Sequence, residues 1–351
     1  MKRLIFLTIA CLISSGGCSE NLAGTEDTDS TEFIWPPAAE INASIGRAIN
    51  LGNALEAPAE GEWGVTLQEE YFEVIDSAGF DAVRIPVRWS AHANVDSPYV
   101  IDEQFFRRVD WAVENAVDRN LVAIINIHHF EEIMTNPAAN KARFLSLWRQ
   151  IADRYSDYLP QLIFEILNEP NDQLTPDLWN RYLLDAYSII RESNPKRALI
   201  IGTANWGGLG SLEQLEIPEE DEFIIVTFHY YEPFPFTHQG AEWVEGSDAW
   251  LNTEWTGNSA EIEKVRADFD RAAEWADSKG VSLFMGEFGA YSRAGLVSRV
   301  RWTNCIAREA ESRGFSWAYW EFCSGFGVYD SDTGTWNKYL LEALIPEDQT
   351  E

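Results

Sequence analysis

The sequence predicts a single (β/α)8 TIM barrel, and three observations carry that expectation. Eight short apolar runs recur at regular intervals, amphipathic helical stretches separate them, and polar or aromatic residues finish every run. The runs are Ala48–Asn53, Ala82–Trp89, Leu121–His129, Leu162–Pro170, Leu199–Trp206, Phe223–Tyr231, Ser282–Gly289 and Phe315–Phe322. They are rich in Val, Ile, Leu and Phe and largely unalternated, the pattern of parallel strands buried on both faces.

Between the runs, apolar residues take helical spacing over Gln68–Ala78, Asp102–Arg119, Asn140–Tyr155, Pro176–Glu192, Ala260–Ser278 and Arg293–Ser312. Most of these stretches stop near Gly, Asn or Pro. The fifth connection, Gly207–Glu222, carries only a weak helical signal. An open doubly wound sheet is disfavoured, because no run leads into the glycine fingerprint of a pyrophosphate-binding helix. The long connection Glu232–Asn258 holds His238, Trp243, Trp250 and Trp255. Ordered loops beyond about 12–15 residues are usually functional, so this one is expected to serve the site.

At the start of the chain, Lys2 and Arg3 precede an apolar run from Leu4 to Ile13 and the small polar stretch Ser14–Gly17. This predicts a signal peptide over 1–17, since a membrane span needs about 20 apolar residues. Cys18, after Ser15, Gly16 and Gly17, is a candidate lipid-attachment site and membrane tether, although the leucine usual three residues upstream is missing. The Ser/Thr/Asp/Glu-rich stretch behind it completes a disordered tether over 18–32, leaving 33–351 as the folded domain. Export is expected, as a cell-surface or periplasmic lipoprotein or otherwise as a secreted monomer.

The formal charge is −31, or −33 once Lys2 and Arg3 leave with the signal. So acidic a surface repels nucleic acid and anionic membranes, and it suits a neutral polymer. Of four cysteines, Cys11 falls in the signal and Cys18 at the lipid site. Cys305 and Cys323 remain, expected as free buried thiols because a large core needs no disulfide.

In a barrel, the C-terminal strand ends open onto the active-site face. Here they carry Asn53, Arg84 to Arg88 with Trp89, His128 with His129, Asn168 with Glu169, Asn205 with Trp206, His229 with Tyr231, Glu287, and Trp320 with Glu321. A lone polar residue there would be a satisfied structural group, but eight converging on one rim predict a site. Glu169 and Glu287 both follow near-continuous apolar sequence. Burying two carboxylates beside one cavity is costly unless their protonation is tuned, and glycosidic cleavage needs such a pair, one protonated and one ionised. Aromatic rings and neutral amide or imidazole groups suit sugar faces and hydroxyls. Glu131 and Glu132 read as rim charges and Glu321 as structural. Neither a cofactor nor a metal is called for, since no His-Glu-x-x-His and no Cys/His ligand spacing occurs.

These residues carry a resemblance. From about Ile49 to Ile345 the chain resembles glycoside hydrolase family 5, the cellulase family. In order, the matching motifs are Asn-Leu-Gly-Asn at 50–53, Arg-Ile-Pro-Val-Arg-Trp at 84–89, Asn-Ile-His-His at 126–129, Asn-Glu-Pro at 168–170, His-Tyr-Tyr at 229–231, Gly-Glu-Phe-Gly at 286–289 and Tyr-Trp-Glu-Phe at 319–322. The stretches at 236–243 and 320–330 further resemble a bacterial endoglucanase subgroup with mannanase side activity.

The resemblance implies a retaining endo-acting enzyme that cuts internal β-1,4 bonds of β-glucan, whether cellulose-type, carboxymethylated or mixed-linkage, and of glucomannan or mannan. It makes Glu169 the general acid/base and Glu287 the nucleophile, with Arg84 and Tyr231 supporting Glu287. Asn168 would bind the 2-hydroxyl of the cleaved sugar, His128, His129 and His229 would line its subsite, and Trp320 would lie beneath it. In the subgroup, Asn53, Glu56, His238 and Trp243 would add substrate contacts. Two other readings stay open: a non-catalytic surface glycan-binding lipoprotein on a barrel scaffold, and a metal-dependent hydrolase built on His128 and His129.

Overall fold

Eight parallel strands close on themselves in chain order in the computed structural model, which describes residues 33–347. They are β1 (Arg47–Asn50), β2 (Ala82–Ile85), β3 (Val122–Asn126), β4 (Leu162–Glu165), β5 (Leu199–Gly202), β6 (Ile224–His229), β7 (Ser282–Phe288) and β8 (Ser316–Tyr319), with β8 pairing back to β1. Each strand begins within one residue of its predicted start. The predicted ends overrun by one to five residues, because the chain stays buried after it leaves the ladder and turns over the barrel mouth.

Inward-facing side chains separate into two layers. At the bottom lies an apolar cluster including Ala48, Ala82, Val122, Ile124, Ile163, Ile200, Ile225, Phe284 and Ala318. Its floor is closed by the helix Ala38–Ile45, which supplies Ala38, Ile41 and Ile45 and is pinned by Asn42 to the carbonyl of Leu283 and the hydroxyl of Ser316. Two residues further along the strands, Asn50, Arg84, Asn126 and Glu165 are fully buried. They form a charged second layer beneath the mouth.

The outward faces of the strands pack against the helices in one large core that fully buries Trp148, Trp302 and Trp317. All six predicted helices form, from Glu69–Ala78 to Leu296–Glu311, and Gly207–Glu222 yields only the 3-10 turn Leu209–Gln214. The short helices Ala38–Ile45, Glu131–Thr135 and Lys338–Leu344 are among those that lay outside the predicted periodicity. Residues from Trp35 onward form one compact unit; of the stretch before it only Phe33 and Ile34 are described. The predicted signal, Cys18 and tether lie outside the described residues. Among the described residues no helix is long and apolar enough to cross a membrane.

Cys305 and Cys323 are free, as expected, but half-buried rather than buried. Burial raises the thiol of Cys305 to about 11 and that of Cys323 to about 12.

Candidate active site

The charged layer organises the site above it. Arg84, on β2, donates through Nε and Nη2 to the two oxygens of Glu165 on β4, at 2.6 and 2.8 Å. Its Nη1 donates to Asn50 at 2.8 Å and to Glu287 at 2.9 Å, and its Nη2 to Asn168 Oδ1 at 2.6 Å. Burial alone would lower the pKa of this guanidinium, but the charges and hydrogen bonds of Glu165 and Glu287 more than offset that and raise it, so Arg84 stays charged.

Glu287 reaches the barrel interior through a break in alternation. Along β7, Phe284 and Gly286 point inward, and a strict period of two would turn Glu287 out toward the helices. The pairing with β6 slips here, from Phe228 opposite Met285 to His229 opposite Glu287. The extra residue of this bulge puts both Gly286 and Glu287 on the inner face. Only glycine fits at 286, because a Cβ would lie 2.7 Å from Thr227 Oγ1 and 3.2 Å from His229 Nε2.

Glu287 accepts from Tyr231 Oη at 2.9 Å in addition to Arg84. Burial, with the charges of Glu287 and Glu169, lifts the Tyr231 phenol well above its usual 10, which keeps it a donor. Glu169 stands across the mouth and pairs through Oε1 with His229 Nδ1 at 2.6 Å. Burial would lower the pKa of His229, but Glu287 and Glu169 outweigh it and hold it above 6.5. The two glutamates differ in exposure, 26% for the Glu169 side chain and 7% for Glu287. Glu169 thus opens to the cleft while Glu287 is recessed beneath it. Carboxyl oxygens of both, with a nitrogen of His229, lie within 4.8 Å of one another.

That trio is the one convergence of potential metal ligands among the described residues, and it excludes His128 and His129. Its atoms are already engaged with one another, with Tyr231 and with the guanidinium of Arg84, whose positive charge opposes a cation at the same place.

A cleft of about 1480 Å³ spreads over this centre. Every other residue predicted for the substrate meets it: Asn53, Glu56, His128, His129, Asn168, His238, Trp243 and Trp320. Trp320 stacks parallel to His128 at 5.8 Å. Burial drives His128 well below 6.5 and both His129 and His238 to about 4, so at neutral pH these rings are uncharged. Glu56 is wholly buried and accepts from the backbone N–H groups of Asn53 and Ala54. Burial raises its carboxyl to about 7. Asn53, His129, Asn205 and Trp206, all lining the cleft, hold left-handed φ values of 49–64°.

Other strand-end residues have structural places. Trp89 is fully buried and donates to the carbonyl of Asn126, so it belongs to the core and not to the rim. Glu321 is buried, as expected of a structural group, and accepts from the N–H groups of Cys323, Ser324 and Phe326. Glu131 and Glu132 are exposed and pair with Arg88 and Arg143. In the long loop only His238 and Trp243 of the four named side chains line the cleft; Trp255 is buried in the core and Trp250 packs edge-on against Phe234.

Sequence reasoning gave no role to Glu165, to Asn50, which it met only as the first residue of the 50–53 motif, or to Trp63. The first two lie beneath the site, and Trp63 lines it, edge-on to His129 at 5.4 Å. An acidic residue inside the apolar run Leu162–Ile166, opposite in sign to Arg84 inside its own run, was the available signal for Glu165.

Comparison with known proteins places the chain in a family. The Cellulase (glycosyl hydrolase family 5) profile matches residues 46–325. Endoglucanase H of Acetivibrio thermocellus is 36% identical over 312 residues, 87% of this chain, and Cellulase/esterase CelE of the same organism is 33% identical over 86% of it. The chain spans 33% and 39% of the lengths of those two relatives. Among solved structures, the endoglucanase Cel5A of Thermotoga maritima is 53% identical with a TM-score of 0.87, covering 88% of this chain and 100% of that one. A GH5-4 broad specificity endoglucanase from Clostridium acetobutylicum is 26% identical, with a TM-score of 0.78 over 88% of this chain and 99% of its own. The chain belongs to glycosyl hydrolase family 5, the cellulase family.

Proposed function

We propose that this protein is a retaining endo-β-1,4-glucanase with Glu169 as general acid/base and Glu287 as nucleophile. The observation that carries the reading is that a carboxyl oxygen of Glu169 and one of Glu287 lie within 4.8 Å of each other, close enough for the short spacing of a retaining pair. Retaining enzymes hold theirs about 5–5.5 Å apart, whereas inverting enzymes need roughly 6.5–9.5 Å to admit a water.

In the first step, Glu169 protonates the glycosidic oxygen as Glu287 attacks the anomeric carbon; the bond to the leaving sugar breaks and a glycosyl ester forms on Glu287. In the second, Glu169 takes a proton from water, which adds to the same carbon and frees Glu287. Arg84 and Tyr231 orient Glu287 for in-line attack. His229 orients Glu169 and stays beside it as its proton moves out and back. Asn168 accepts from Arg84 through Oδ1, which leaves its Nδ2 to donate to the 2-hydroxyl of the sugar. Trp320 lies under that sugar, and Asn53, Glu56, His238 and Trp243 hold the units beyond it.

β-Glucans of the cellulose type are the substrates proposed, with glucomannan and mannan alongside. Supporting the second group, structures of Thermotoga maritima Cel5A, 53% identical to this chain, are described in complex with cellobiose and with mannotriose. Export through residues 1–17, a tether over 18–32 with lipid on Cys18, and a monomeric catalytic domain over 33–351 complete the proposal. The non-catalytic alternative is disfavoured because such a protein has no use for two opposed carboxylates. A reducing-sugar assay on carboxymethylcellulose and glucomannan tests the reading. Wild type should release new ends, and Glu287→Gln should lose activity at least 10³-fold while keeping its melting temperature. Equal activity of the two proteins removes Glu287 from the role.

A further inference from the structure

The cleft continues past the barrel rim. Beyond Glu169 and Trp206 its wall passes to the turn Leu209–Gln214 after β5 and to the helix Ser259–Lys279, where Lys264, Asp268 and Arg271 line it. The three form one cluster. Lys264 Nζ donates to Asp268 at 2.5 Å, Arg271 Nη2 at 2.7 Å, and Tyr230 Oη adds a third contact at 3.0 Å. Asp268 is only 4% exposed, whereas the Lys264 and Arg271 side chains are 66% and 69% exposed. A buried carboxylate therefore pins two cations to the cleft wall. Most of the five guanidinium N–H groups of Arg271 remain available.

We infer that Lys264, Asp268 and Arg271 form a further sugar-binding subsite, on the leaving-group side, that takes the hydroxyls of a neutral β-linked glycosyl unit; this rests on the hydrolase reading above. Direction follows from the barrel. Trp320, Asn53 and Glu56, from the segments after β8 and β1, mark the side of the attacked sugar. Glu169, after β4, faces the opposite side, toward the segments after β5 and β6 where the cluster stands. The charge balance selects a neutral unit: Asp268 and Glu232, both on this wall, cancel Lys264 and Arg271. Spare N–H donors on a wall without net charge match vicinal hydroxyls, and they offer an anionic sugar no surplus attraction. The chemistry at Glu169 and Glu287 makes no use of the cluster. Binding energy gathered there acts remotely, by fixing how many units lie beyond the scissile bond.

The test uses Lys264→Met and Arg271→Leu separately, so that Asp268 keeps one cation and Tyr230 in each. On an aryl β-cellobioside, whose leaving group stops short of the cluster, both variants should match wild type. On cellohexaose labelled at its reducing end, kcat/KM should fall about fivefold and cutting should shift toward that end, leaving fewer units on the leaving side. An unchanged rate and cutting pattern on cellohexaose overturns the proposal. If wild type cleaves neither substrate, the hydrolase reading fails instead. Calorimetric titration with cellohexaose then decides the subsite alone: affinity about fivefold weaker in the variants supports it, and equal affinity overturns it.

Discussion

Arg84 Nη1 lies 2.9 Å from Glu287 Oε1 while the same guanidinium grips both oxygens of Glu165 from below. One fully buried cation is thus shared between a purely internal carboxylate and one that faces the cleft. The two anions together make the buried charge tolerable, and the bidentate grip of Glu165 fixes the plane from which Nη1 reaches Glu287.

Glu165→Gln is expected to cost about 3–5 kcal/mol of stability, because it removes one partner from a desolvated ion pair. Turnover should fall as well, since Arg84 is then free to rotate away from Glu287. Urea denaturation and kcat on carboxymethylcellulose check both effects. A variant as stable as wild type would show that Arg84 needs no anion beneath it.

The buried carboxyls Glu56 and Glu321 give the fold a pH signature. Burial raises Glu56 from 4.5 to about 7 and Glu321 from 4.5 to about 8. Folded-state values above the unfolded one mean that the stabilising contribution is complete below about pH 4.5 and is lost as pH rises through about 7 and about 8. The loss across that window is on the order of 3 kcal/mol for Glu56 and about 5 kcal/mol for Glu321. Glu321→Gln should flatten the unfolding free energy between pH 5 and 8 relative to wild type, as read by denaturant titration at each pH. Parallel curves for the two proteins would contradict a buried, neutral Glu321.

Cys305 and Cys323 should be slow to react. With thiols at about 11 and about 12, almost no thiolate exists at pH 8, so a chromogenic disulfide reagent should label neither in the native protein and both after denaturation. Rapid native labelling would contradict the burial of either sulfur.

Much of this was legible in the residues because barrel strands are two-sided apolar runs, and their starts are sharp where helix polarity gives way to Val and Ile. Strand ends were less so. Ile166 and Leu167 remain fully buried after β4 has left the ladder, and hydrophobicity reports burial and not pairing. The catalytic candidates stood out as charged interruptions at the end of such runs. Glu165 did not, because the run continues past it and its partner Arg84 lies 81 residues away. Trp63 sits between Gly61 and Gly64 in a turn without periodicity, so nothing local aimed it at His129. In the long loop, composition could not separate Trp243, which is 61% exposed, from Trp255, which is 2% exposed. The bulge at Gly286 was likewise hidden, since alternation read from the sequence alone would have placed Glu287 outside the barrel.

The account stands or falls on the covalent step at Glu287. A 2-deoxy-2-fluoro-cellobioside with a good leaving group slows breakdown of the glycosyl ester, so peptide mass spectrometry after incubation should find one added fluorocellobiosyl group on the peptide carrying Glu287. An unlabelled protein that nonetheless hydrolyses cellulose-type substrates, or a label on any other residue, would contradict it.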